Sequence, residues 1–134
     1  MTPTSHVPPT LIDVPPLVPA GVGSLDIYLD GQPVGDVEVQ TCARCRRGII
    51  HHVRVDPAHR RTGLARLAVT TILERKSDHT WSTPEIPGTA AAQGFWDTIG
   101  IPTGKPITCR HMRDADGPDI PRRSVSASWA GPRR

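Results

Sequence analysis

Proline decides where this chain can be regular. A prolyl ring fixes φ and removes the backbone N–H, so strands and helices accept it mainly at their ends. Of the fifteen prolines, Pro8-Pro9, Pro15-Pro16 and Pro19 crowd the first 24 residues, which carry no apolar period. Residues 1–24 therefore read as a linker or arm laid over the surface. The stretch after Met112 is charged and rich in proline and serine, so residues 113–134 are expected to form a basic, disordered tail. Residues 25–112 are left to fold as one domain. Its means are modest, since the chain is 37% apolar and has three Trp, one Tyr and one Phe. A core of that size gains from a metal clip or a partner chain.

Within that span the apolar period changes character. Leu25, Ile27 and Leu29 alternate with Asp26, Tyr28 and Asp30, the pattern of a half-buried strand. Asp30-Gly31 is a hairpin signal, followed by a second strand through Val37 and Val39. A polar turn, Thr41 to Gly48, leads into a third strand, Ile49 to Val55, which Asp56-Pro57 ends. A helix is predicted over about 62–76, with Leu64, Ala65, Ala68, Val69, Ile72 and Leu73 on one face. A short strand surrounds Trp81. Thr89 caps a second helix in which Ala92, Phe95, Trp96 and Ile99 share a face and Gly100 is the stop. Pro106 to Met112 could add one more strand. The order ββ-β-α-β-α-β implies an α/β (α+β) fold, a mixed and mostly antiparallel sheet with helices packed on it.

The formal net charge is +3, and much of the excess lies between Arg44 and Arg66 and after Met112. That suits an anionic ligand such as a polyphosphate. Nucleic acid fits less well, because stacking aromatics do not interleave the basic stretch. No run of eighteen apolar residues predicts a membrane span, and the N-terminus lacks the regions of a secretion signal. Three cysteines make no disulfide framework, so a cytoplasmic setting is expected.

The third strand gives way to the first helix through Arg60-Arg61-Thr62-Gly63-Leu64-Ala65. Helix N-termini carry unpartnered N–H groups and partial positive charge, and a glycine there lets an anion approach the backbone. Neither Gly-x-x-x-x-Gly-Lys nor Gly-x-Gly-x-x-Gly spacing is present. On this chemistry alone, an anion site and an ordinary loop with a solvated arginine pair both stay open.

The segment Val53 to Ala65 resembles the acetyl-CoA-binding segment of the GNAT (N-acetyltransferase) superfamily. That segment is an apolar strand, x-Pro, Arg/Gln-x-x-Gly-x-Gly/Ala, then an amphipathic helix, and Arg60, Gly63 and Ala65 fill its defining positions. The second helix resembles the family's later motif through Ala92, Phe95-Trp96 and Gly100-Ile101. The resemblance implies an N-acyltransferase that passes an acetyl group from acetyl-CoA to an amine by direct attack. It implies that the amides of Arg61, Thr62, Gly63, Leu64 and Ala65, opened by Arg60, hold the CoA pyrophosphate. It also implies that Val53 and Val55 flank the pantetheine arm, with an N–H near Val53 polarising the thioester carbonyl.

Thr89 and Trp96 occupy positions where the family usually has Asn and Tyr, and an indole cannot protonate the leaving thiolate. The family also carries a strand and two helices before its first hairpin, where this sequence offers only the arm. A short variant is implied, in which a second copy of the chain or a large acceptor completes the acceptor wall.

His51 and His52 are candidate general bases, expected on opposite faces of their strand; Glu38 and Glu85 are weaker candidates. Cys42 and Cys45 form Cys-x-x-Cys-x-x-Gly at a hairpin tip. With Cys109 and His111 they would make a closed tetrahedral zinc site of structural kind. Two rival readings accompany the acyltransferase: a catalytically weak acyl-CoA-binding protein and a zinc-knuckle interaction module.

Overall fold

A computed structural model describes residues 8–116. Five strands and three helices follow one another as β1 (Thr10–Val14), β2 (Val22–Leu29), β3 (Gln32–Cys42), β4 (Arg47–Val55), α1 (Leu64–Arg75), β5 (Thr80–Ser82), α2 (Ala90–Ile99) and α3 (Arg110–Ala115), with a 3-10 turn at Pro57–His59. The sheet runs in sequence order; β1 to β4 are antiparallel and β5 is parallel to β4.

The elements form for local reasons. Asp30 and Gly31 both take positive φ, 53° and 76°, the geometry of a two-residue hairpin whose twist matches its strands. Thr89 caps α2 by accepting the Ala92 N–H at 3.1 Å, and Gly100 ends it with φ 87°. In α1, Leu64, Ala68, Val69 and Ile72 are buried, the face expected from their spacing. They pack on Leu25, Ile27, Val37 and Ile50, with Trp81 and Trp96 closing the cluster. Ile49, the neighbour of Ile50, points the other way, into a second cluster with Cys42, Cys109 and Met112. Leu25 is fully buried. Leu25→Ala is expected to lower the unfolding free energy by about 2–5 kcal/mol, read as a fall in the urea midpoint at unchanged slope.

Three expectations need correction. The segment read as an arm supplies β1, and β2 begins at Val22 rather than Leu25. β1 fits between Pro9 and Pro15 and pairs with β2 from Thr10↔Tyr28 to Val14↔Ser24. An edge strand bonds on one side only, so flanking prolines do not forbid it. The chain thus has a strand ahead of its first hairpin; among the described residues no helix precedes it.

The strand expected over Pro106 to Met112 is instead a loop followed by α3. Thr83 N–H reaches Pro102 O at 3.1 Å and Ile107 N–H reaches Ser82 Oγ at 2.8 Å. Pro102 and Pro106 have no N–H to donate, which denies this segment a continuous ladder. The third correction concerns the expected tail. Arg113 to Ala115 belong to α3, and residues 117–134 lie outside the described residues. No helix among the described residues is long and apolar enough to cross a membrane.

Candidate functional site

The parallel pairing of β5 with β4 spans only Arg47↔Thr80, Gly48↔Trp81 and Ile49↔Ser82. Past Ile49, β4 continues to Val55 with its ladder on the β3 side. The divergence opens a cleft of about 670 Å³. β4 lines one wall with Ile50, His51, His52 and Val53, and the loop Thr83 to Pro87 lines the other. α2 contributes Ala92, Phe95 and Trp96, while Arg60 and Ala65 stand at one end. The lining is mainly apolar with a few polar groups, as small-molecule clefts are.

At that end the chain enters α1 by an unusual path. Arg61 has φ 62° and Gly63 has φ 83°. Left-handed backbone is easy for glycine and strained for arginine. Thr62 Oγ1 donates to His59 O at 2.6 Å, and Arg60 Nε donates to Val55 O at 3.2 Å, which ties the loop to β4. Gly63 is the N-cap, so no side chain caps α1, and no acidic residue occupies the first turn. A Cβ built on Gly63 would meet nothing within 4 Å; glycine is needed here for its φ. The first N–H groups of α1 have no intrahelical partner and stand beside the exposed Arg60 and Arg61.

His51 and His52 do not alternate. The β3–β4 register passes from Glu38↔His52 to Val39↔Ile50, so β4 carries one extra residue. Such a bulge breaks the period of two. By this register both side chains lie on the face shared with Gln40, and both residues are among those lining the cleft. His52 Nδ1 is 3.4 Å from Arg54 Nη2. Gln40, 1% exposed, places its amide nitrogen 2.7 Å from Ala20 O and 3.4 Å from Met112 O. Carbonyls only accept, so the amide oxygen faces His51, whose Nε2 lies 2.7 Å away. Nε2 therefore carries the proton, and in the neutral ring Nδ1 is the acceptor.

Other expected residues are distributed differently. Val53 lines the cleft, Val55 pairs with Gly35 and is not among the lining residues, and both valines pack against the core. The Leu64 side chain is buried in the core, leaving only its backbone for a ligand. The Thr89 hydroxyl is taken up in capping α2. Trp96 is buried and meets Phe95 edge to face at 5.1 Å.

Cys42, Cys45, Cys109 and His111 converge, with their ligand atoms all within 4.8 Å of one another. Burial pushes the Cys109 thiol up; hydrogen bonds from the Met112 N–H, His111, Cys45 and Cys42 outweigh it and bring the thiol down to about 7. Cys45 is pushed up, first by its hydrogen bond to Cys109 and then by burial. Gly48, read as part of a knuckle, serves another purpose: a Cβ there would lie 2.4 Å from the Trp81 ring. Glu85, a weaker candidate base, lies in the cleft-lining loop. Gln40 escaped sequence reasoning, because it looks like any outward polar residue of an alternating strand, and apart from Glu85 the loop Thr83 to Pro87 carries no signal.

Comparison with known proteins gives this geometry a family. The acetyltransferase (GNAT) family model matches residues 11–100. No curated protein sequence matches the chain. Among solved structures, the ribosomal-protein-S18-alanine N-acetyltransferase from Escherichia coli is similar at TM-score 0.52 and 16% identity, over 59% of this chain and 52% of that one. The chain thus spans about half the length of that structure. The aminoglycoside N-acetyltransferase AAC(6')-Iy, in complex with CoA, is similar at TM-score 0.53 and 13% identity, over 66% and 73%. A ribosomal-protein-alanine N-acetyltransferase from Brucella melitensis biovar Abortus 2308 is similar at TM-score 0.50 and 20% identity, over 66% and 71%. At these identities the structures speak for the fold. The family model spans well over half of the sequence, and the chain belongs to the acetyltransferase (GNAT) family.

Proposed function

We propose that this chain is an N-acyltransferase that uses acetyl-CoA and an amine acceptor. The observation that carries the reading is the cleft between β4 and β5, which ends at the uncapped N-terminus of α1. A pyrophosphate would accept hydrogen bonds from the amides of Arg61 to Ala65 and meet the charge of Arg60 and Arg61. The pantetheine arm would follow the β4 edge past Val55 and Val53, bringing the thioester carbonyl to an N–H near Val53. The acceptor nitrogen would attack that carbonyl, forming the N–C bond as the C–S bond breaks. His51 Nδ1, or else His52, would take the amine proton. A cytoplasmic setting, where thiols stay reduced, fits this reading.

Trp96 bears on the last proton. Its indole cannot protonate the departing thiolate, so water or another group would do so. The same residue favours a second reading, a chain that binds acetyl-CoA and turns it over poorly. A second copy of the chain or a large acceptor would complete the acceptor side. Calorimetric titration with acetyl-CoA is expected to show binding, and absence of binding would end the proposal. Thiol release from acetyl-CoA, followed over small amines and N-terminal peptides, is expected for at least one acceptor class. Binding without release across that panel would establish the second reading.

A further inference from the structure

The three cysteines and His111 lie outside the residues that line the cleft, yet they converge from two segments of the chain, with His111 66 residues beyond Cys45 and 69 beyond Cys42. His111 Nδ1 lies 3.6 Å from Cys42 Sγ, 3.4 Å from Cys45 Sγ and 4.0 Å from Cys109 Sγ. One imidazole lone pair accepts one hydrogen bond, so thiol–imidazole bonding does not account for three sulfurs around a single nitrogen. A tetrahedral ion does. Zn–S of about 2.3 Å and Zn–N of about 2.0–2.1 Å imply S···N edges of roughly 3.5 Å. We propose that Cys42, Cys45, Cys109 and His111 form a closed structural zinc site that pins α3 to the sheet and, through Gln40, sets His51.

The donor set selects the metal class. Three thiolates and a neutral imidazole suit zinc, whereas magnesium and calcium require oxygen ligands that this cluster lacks. With four protein ligands there is no open position for a reacting group, so the ion's task is mechanical. The loaded site would carry one net negative charge, and arginines at 44, 46, 47, 110 and 113 flank its ligands in sequence.

Mechanical support is what this corner needs. α3 has six residues, too few to stand without tertiary contacts. Arg47 Nη1 donates to Thr108 O, Arg113 Nη1 donates to Thr108 Oγ1, and Met112 is buried against Ile49. The Met112 carbonyl also reaches the Gln40 amide, whose other end accepts the His51 Nε2–H. Metal binding that orders α3 would therefore help orient the imidazole in the cleft. This last link rests on the acyl-transfer reading; the metal site does not.

Elemental analysis and native mass spectrometry of the full chain purified with zinc are expected to give one zinc ion per chain. Cobalt(II) exchange should give thiolate charge-transfer bands and the d–d absorption of a tetrahedral ion. Cys42→Ser and Cys109→Ser should lose the metal. Should those variants fail to fold, His111→Cys should still bind cobalt tetrahedrally with a stronger thiolate band. A folded wild-type chain that takes up no zinc, or an octahedral cobalt spectrum, overturns the site. For the coupling, nitrogen NMR of His51 should show the Nε2–H tautomer in the zinc-loaded protein. It should show a mixture in Gln40→Ala with zinc stoichiometry unchanged; an unaltered tautomer there removes the link and leaves the site. Acetyl-CoA titration and thiol release on the same samples report on donor binding and acyl transfer separately.

Discussion

Gly63→Glu is expected to abolish acetyl-CoA binding while the protein stays folded. Gly63 sits at φ 83° with open space where a Cβ would go, so the substitution meets no neighbouring residue and its cost is confined to the backbone conformation. Holding a non-glycine residue in that conformation costs about 1 kcal/mol, and a carboxylate beside the α1 N-terminus returns part of that through the helix dipole. Folding therefore loses about 1 kcal/mol or less, a small part of a typical stability of about 5–15 kcal/mol. Binding loses more, because the new carboxylate would occupy the donors offered to the pyrophosphate and repel it. Two unit charges about 4 Å apart near a protein surface differ by roughly 4 kcal/mol from the uncharged case. A loss of at least about 100-fold in affinity follows. Gly63→Ala, which keeps only the conformational cost, should stay within about tenfold of wild type. Calorimetry on both variants checks this, and wild-type affinity in Gly63→Glu would remove the loop from the CoA site.

Gly48→Val should cost the fold itself about 3 kcal/mol, at the upper end of what overpacking does. A Cβ at this position would lie 2.4–2.6 Å from three carbons of the Trp81 ring. The ring cannot swing aside cheaply, because it is buried and its Nε1–H donates to Lys76 O at 3.0 Å. Gly48↔Trp81 is also the middle of only three pairs joining β5 to β4. Against a typical stability of about 5–15 kcal/mol, such a loss is large, and it should appear as a lower urea midpoint. A cycle of Gly48→Ala with Trp81→Leu should show coupling of the kind that marks direct contact. Simple additivity of the two changes would mean that the ring relaxes away.

What could be read in advance was local. The faces of α1 and α2, the Thr89 cap, the Asp30-Gly31 turn and the strand-to-helix junction each depend on neighbours within a few residues, and side-chain spacing records them. The convergence of Cys42 and Cys45 with Cys109 and His111 was also legible, although α3 and not a strand brings the second pair there. Features decided across the sheet were hidden. β1 is a strand because β2 offers it a free edge, not because Leu11, Ile12 and Val14 keep a period. The extra residue at His51 is a property of the β3–β4 register, and no composition announces it. Gln40 acquires its role only when α3 covers it.

The two outermost strands have a consequence for behaviour in crowded solution. β1 spans five residues between prolines, and β5 spans three. Short or proline-bounded edges give a passing chain little to extend, and they are among the means by which sheets resist open-ended stacking. The exception is β4, whose outer edge past Ile49 has no strand beside it among the described residues and runs along the cleft. An incoming extended chain would therefore find its longest strand edge in the cleft and not at the outer strands.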